Sequence, residues 1–296
     1  MMSTTSFRPL PVASMHLPAR SVLLASAFLA LLVLTAIVGP QLQGGDPDQV
    51  ALSDRLMPPA GFGGTWTHPL GTDQLGRDVL ARVIAGARIS LAVAIASTLI
   101  AGVIGTTIGL LGGYFGGRAD RISIWLGDVQ MAIPFVVVAI GIGAAFSPSA
   151  LNVVLILGTT GWATYSRVAR LAAQPLRHAP FVDAARVAGA SNRRVVFRHL
   201  LPVIFPPLLA IASQQAGAMM LYEAALSHLG LGVPAGTVTW GGMIADSRET
   251  ALSAWWATIA PGIAIVLVVI GFNTTGSVLT NRLIIGPRRG SGRIRT

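Results

Sequence analysis

The chain has 296 residues, 53% of them hydrophobic and only 11% charged, with a mean hydropathy of +0.68. A soluble protein of this length needs far more charge to cover its surface, so the composition excludes a soluble globular domain. Cysteine is absent and all 21 basic residues are arginine, which excludes disulfides, thiolate metal sites, cysteine nucleophiles and the lysine-ended phosphate loop of a nucleotide-binding subunit.

Apolar runs of 18 or more residues, long enough to cross about 30 Å of hydrocarbon, recur along the chain and predict an all-α integral membrane protein. Six transmembrane helices are expected, near 21–40, 88–113, 121–146, 150–169, 203–225 and 257–281. Arg8 and Arg20 precede the first, whose apolar core from Ser21 to Val38 is long for a signal peptide. It has no small-x-small site before a suitable mature start, so it is read as an uncleaved span. Residues 1–20 then form an N-terminal segment, and 21–67 the first span with its external loop.

Arginines near span ends stay cytoplasmic. With the N-terminus inside, the outer segments hold only Arg55, Arg77, Arg82, Arg88 and Arg248, against Asp46, Asp48, Asp54, Asp73, Asp78, Glu223, Asp246 and Glu249. The other sixteen arginines fall inside, where only Asp120 and Asp183 oppose them. Both termini are therefore expected in the cytoplasm. This charge follows a membrane pattern, not a nucleic-acid-binding one.

Before the second span lies a turn-rich block, "HPLGTDQLGRDVLARVIAGARISL", His68 to Leu91. Its notable residues are Gly71, Thr72, Asp73, Gly76, Arg77 and Asp78. Two carboxylates five apart around an arginine admit a structural staple, a docking surface, or metal and acid–base chemistry. Only His68 stands near a ligand spacing, and the staple is favoured. The second span carries Ala101, Gly105, Gly109 and Gly113 at four-residue spacing, a stripe suited to close helix packing; pore lining is the other reading. Asp128 lies about two turns into the third span, where a charge needs a partner or water. It reads as a helix-to-helix hydrogen-bonding group, with an ion-coupled pathway as the rival.

Between the fourth and fifth spans stands "FVDAARVAGASNRRVVFRHLLP", Phe181 to Pro202. Phe181, Ala184, Ala185 and Ala188 share one helical face. Gly189 can take the left-handed conformation that ends a helix, and Ser191 is placed to cap the next. Arg194 and Arg198 lie four apart on a second short helix, and Pro202 marks entry into the fifth span. A DNA-binding helix-turn-helix shares this grammar but not the tether between spans. A solvated basic loop and a rigid docking knob for a cytoplasmic partner are the remaining readings, and the small Ala-Ala face with its glycine hinge favours the knob. After the fifth span, "EAALSHLGLGVPAGTVTWGGMIADSR" runs from Glu223 to Arg248, and Asp246, Arg248 and Glu249 are candidates for docking another protein outside.

"DAARVAGASNRRVVFRHLLP" resembles the EAA loop of ABC-importer permeases: Glu-Ala-Ala, a glycine four residues past the second alanine, then Leu-Pro. Asp183, Ala184, Ala185, Gly189, Leu201 and Pro202 match, with aspartate in place of glutamate. The blocks at 68–91 and 223–248 resemble those of permeases for peptides, oligopeptides and nickel, of the C-type (OppC/DppC-like) kind. The resemblance covers about 68–282, a permease domain with its EAA loop at 181–202, followed by a basic tail at 283–296; the first 20 residues and the tail after Gly286 carry no resemblance. It implies a type I ABC-importer permease fold whose coupling helices sit in a groove of an ATPase subunit. It also implies a homologous B-type permease beside this chain, two ABC ATPases that bind ATP and magnesium, and an extracytoplasmic substrate-binding protein.

The expected function is therefore half of an ATP-driven import pathway in a bacterial inner membrane, with peptides as cargo and nickel as the alternative. No cofactor, metal or catalytic residue is expected in this chain. A proton-coupled secondary transporter using Asp128 is the rival from another class. A membrane-embedded enzyme finds no support, because His68 and His228 lie outside the spans and His178 and His199 in the cytoplasmic loop.

Overall fold

The computed structural model describes residues 46–234 and 236–285, with isolated helical positions between 27 and 39. The 1–20 segment, most of the first predicted span and residues 286–296 of the tail lie outside the described residues. Among those described, the structure is helical, and isolated bridges at Ala60–Gly64 and Thr72–Asp78 are the sole β pairing.

Val79–Phe115 (α1) is a 37-residue helix with no internal proline. At 1.5 Å per residue it is about 55 Å long, well beyond the hydrocarbon thickness. Asp78 caps its start, accepting from the Ala81 amide at 2.7 Å. Gly116, at φ +66°, ends it. The predicted third span divides into α2 (Gly117–Ala132) and α3 (Phe135–Ala145), bent by 78°. Pro134 causes the break, because it cannot donate a helical hydrogen bond and pushes Ile133 into an extended conformation. The predicted fourth span divides at Gly161 into α4 (Ala150–Thr160) and α5 (Trp162–Leu176).

Pro180–Val187 (α6) is the first arm of the hairpin. The second arm is not a separate short helix. It runs unbroken into the fifth span as α7, Asn192–His228. A π turn over Val195–Leu200, in which the Leu201 amide reaches Val196 O, carries the helix past Pro202. Trp240–Asp246 (α8) and Trp255–Ile285 (α9) complete the order. Among the described residues, α1, α7 and Trp255–Thr280 of α9 are each long and apolar enough to cross a membrane, and the bent α2–α3 pair makes a fourth if it is one span.

The core forms where α1 lies against α5 and α7. Ala101 is fully buried, and a Cβ on Gly105 or Gly109 would overlap the carbonyl oxygens of Trp162 and Ser166. At Gly113 it would stand 2.7 Å from Arg170 O. The small-residue stripe therefore packs against the α5 backbone. Around it the side chains of Leu157, Tyr165, Ile204 and Met219 are all but sealed from solvent.

Candidate functional site

The hairpin sits where α1 ends. Its turn is a Schellman motif: Ala190 N–H donates to Ala185 O and Gly189 N–H to Arg186 O, each at 2.9 Å. Gly189 has φ +82°, the left-handed region that a side chain resists. Ser191 caps the second arm, accepting from the Arg194 amide at 3.4 Å. Asp183 pairs with Arg186 at 3.3 Å.

Val182 is fully buried and Ala185 partly, so these turn toward the bundle. Phe181, Ala184 and Ala188 of the predicted stripe face outward, together with Val187, which is 91% exposed. The hairpin thus offers an apolar surface away from its own protein. Arg193, Arg194 and Arg198 stand beside it, with no acidic partner among the described residues. Leu201 is half-buried and Pro202 exposed, at the start of the membrane portion of α7.

Sequence reading missed Tyr114, in the last turn of α1. Its ring is 2% exposed; its hydroxyl donates to Asn192 Oδ1 at 2.8 Å, and the Arg186 guanidinium lies 5.4 Å from the ring centroid. The adjacent phenol, ahead of Asp183, holds the Arg186 pKa above the ordinary arginine value. One side chain thereby grips both arms. Tyr114→Phe removes the hydrogen bond, about 1 kcal/mol, and keeps the ring. We expect solute moved per ATP hydrolysed by the assembled transporter to fall several-fold while hydrolysis continues. An unchanged ratio would show that Tyr114 does not transmit motion.

At the other end of α1, residues 46–78 fold into a lobe. Asp73 accepts from the Leu75 and Arg77 amides and pairs with Arg77 Nε at 2.7 Å. Arg82, 6% exposed, reaches Asp48 at 2.7 Å, Asp246 at 3.7 Å and Asp73 at 3.9 Å; Arg77 also lies 3.6 Å from Asp246. Thr72 donates to Asp54 O and accepts from the Met57 amide. Gly71, at φ +76°, lets the Trp256 indole donate to Thr72 O at 2.9 Å. Gly76, at φ +74°, lies against the Ala51 backbone. Asp78, besides capping α1, holds His68 Nδ1 at 2.8 Å, with Asp54 4.0 Å from the other ring nitrogen. The block is a staple between lobe, α1 and α8. Asp246 therefore has its carboxylate engaged inside that staple, although its side chain is 53% exposed, while Arg248 and Glu249 remain open to solvent.

Glu223, counted from sequence as an outer-loop acid, is 1% exposed within α7. It accepts from Thr239 at 2.9 Å and Ser227 at 3.0 Å, and a Cβ on Gly241 would stand 2.7 Å from its carboxylate. It clips α8 to α7. Asp128 is 62% exposed and lies 3.5 Å from Arg167 of α5. No group of three or more metal-ligating side chains occurs among the described residues.

Residues 105–285 match the family described as the binding-protein-dependent transport system inner membrane component. The chain belongs to this family. Relatives of this permease include the probable D,D-dipeptide transport system permease protein DdpC of Escherichia coli K12, 35% identical over 90% of this chain and 87% of that protein. The dipeptide transport system permease protein DppC of Alkalihalophilus pseudofirmus is 36% identical over 85% and 81%. The nickel transport system permease protein NikC of E. coli K12 is 35% identical over 89% and 93%. Among solved structures, a chain of the inward-facing MetNI methionine ABC transporter superposes with a TM-score of 0.57 at 19% identity, covering 69% of this chain and 96% of that one. The fold is that of a type I ABC-importer permease. As a permease subunit, the protein is a transport component rather than an enzyme, a multi-pass inner-membrane protein that works with ATPase and binding-protein partners.

Proposed function

We propose that this chain is the C-type half of a two-permease pathway importing di- or oligopeptides, with a homologous B-type permease beside it. Two ATPase subunits holding ATP and magnesium engage the hairpin, and a substrate-binding protein docks at the lobe end. Both termini lie in the cytoplasm, the side where most arginines fall. The observation that supports this reading is the outward apolar face of the hairpin, clamped to α1 through Tyr114 and continuous with α7. A partner seated there in one nucleotide state and shifted in another would bias the two helices together, provided it binds the two arrangements with different energy. Peptide cargo rests on the names of relatives such as DdpC and DppC. NikC makes nickel the second reading.

Reconstitution with the B-type permease, both ATPases and the binding protein tests this. Labelled dipeptide should accumulate in proteoliposomes only with ATP, and uncouplers should not matter. Asp128→Asn should retain uptake within about twofold, because an exposed ion pair is worth under about 1 kcal/mol. Dependence on a proton gradient, or loss of uptake in Asp128→Asn, would instead indicate a secondary transporter. Accumulation of nickel but not dipeptide would overturn the cargo.

A further inference from the structure

The lobe has a tip that the staple does not use. From Leu56 to Thr67 it carries no charged residue, and its sequence, Leu-Met-Pro-Pro-Ala-Gly-Phe-Gly-Gly-Thr-Trp-Thr, is dominated by proline, glycine and two aromatics. Those aromatics point away from the protein: Phe62 is 69% exposed and Trp66 85%. The lobe's charged side chains, by contrast, are largely consumed by its two ionic clusters around Arg82 and His68.

The depth of the tip is set by what it touches. Phe62 packs edge-on against Trp255 with ring centroids 5.4 Å apart, and Trp255 packs against Trp256 at 5.8 Å. Trp255 opens the stretch of α9, Trp255–Thr280, that is long and apolar enough to cross a membrane. Leu252, just before it, is fully exposed. Phe62 thus joins the tip to the first turn of a helix long and apolar enough to cross a membrane, with Trp66 exposed on the same loop. Tryptophan and its aromatic neighbours favour that level, where an apolar ring meets hydrocarbon and the indole N–H meets headgroups.

The tip's backbone suits the same place. The Ala60 amide donates to Pro69 O, the Phe62 and Gly64 amides to Pro59 O, and the His68 amide to Thr65 O. Several donors are therefore satisfied within the loop, which lowers the cost of leaving water. Gly61 and Gly63, at φ +91° and +100°, make the tight bend that holds Phe62 at the apex.

We propose that the 56–67 tip is a membrane anchor, inserting Phe62 and Trp66 beside Trp255 into the lipid headgroup layer and so fixing the height of the lobe. The partner is the phospholipid surface, not the substrate-binding protein, and the proposal stands whatever the cargo.

The absence of cysteine makes depth directly measurable. In the assembled transporter in lipid nanodiscs, Phe62→Cys, Trp66→Cys and Arg55→Cys would each carry a nitroxide label, with spectra corrected against the cysteine-free chain. The labels at 62 and 66 should collide more with membrane-soluble oxygen than with a water-soluble nickel chelate, and the label at 55 should show the reverse. Chelate accessibility at 66 equal to that at 55 would overturn the proposal. So would protection of 62 and 66 that develops only when binding protein is added, because the patch would then be a protein-docking surface. Uptake retained by each labelled variant in proteoliposomes certifies the fold.

Discussion

Gly189→Pro should abolish ATP-driven uptake while the permease still inserts in the membrane. The native φ at this position is +82°, and proline is held near −65°. The substitution also deletes the amide that donates to Arg186 O. Both changes dismantle the Schellman turn, which lies between α6 and α7 rather than within a membrane-spanning helix. The two arms then lose their fixed angle, and the outward face formed by Phe181, Ala184 and Val187 is no longer presented as one surface. Membrane insertion and uptake are read side by side, with ATPase co-purification as the third measurement. Gly189→Ala, which meets no neighbour within 4 Å but must adopt a left-handed conformation, should fall between wild type and proline. Normal uptake by the proline variant at normal ATPase association would exclude the hairpin as the coupling element.

The second large effect is expected at the opposite end. Arg82→Met keeps most of the buried stem but removes the cation that Asp48, Asp73 and Asp246 share. Breaking a buried pair by deleting one partner costs about 3 kcal/mol or more. Here Asp246 is more than half exposed and Arg77 remains nearby, so about 2 kcal/mol is expected. The loss should appear as faster proteolysis within residues 46–78 and a lower unfolding temperature in detergent. Asp246→Asn, which removes an exposed member, should do much less. Equal protease resistance of Arg82→Met and wild type would mean that the network contributes nothing to holding the lobe.

Local features were the ones readable in advance. The Gly189 turn and the Ser191 cap are properties of a few consecutive residues, and the structure has both where the spacing places them. The small-residue stripe of α1 was equally readable, because packing helices in lipid favours small side chains whatever lies opposite. The breaks at Pro134 and Gly161 were not, since an apolar run looks continuous when its hydropathy is averaged across one proline or glycine. Tyr114 was invisible for another reason. Its partner Asn192 lies 78 residues away, and nothing in either neighbourhood announces the pair. Glu223 was misplaced: it reads as an outer-segment acid until the fold brings Thr239 and Ser227 to it, and the engagement of Asp246 by Arg77 and Arg82 is just as nonlocal.

The continuity of the second hairpin arm with α7, and the grip of Tyr114 on α1, divide the molecule mechanically. The helix interruptions lie at Pro134, where α2 and α3 meet at 78°, and at Gly161, between α4 and α5. The 37-residue α1, with no internal proline, is the stiff member, whereas α7 carries a π turn and Pro202, Pro206 and Pro207. A rod of about 55 Å tilted by about 10° carries its far end roughly 10 Å sideways. A small rotation at the hairpin thus becomes, at the lobe, a displacement about as wide as a helix.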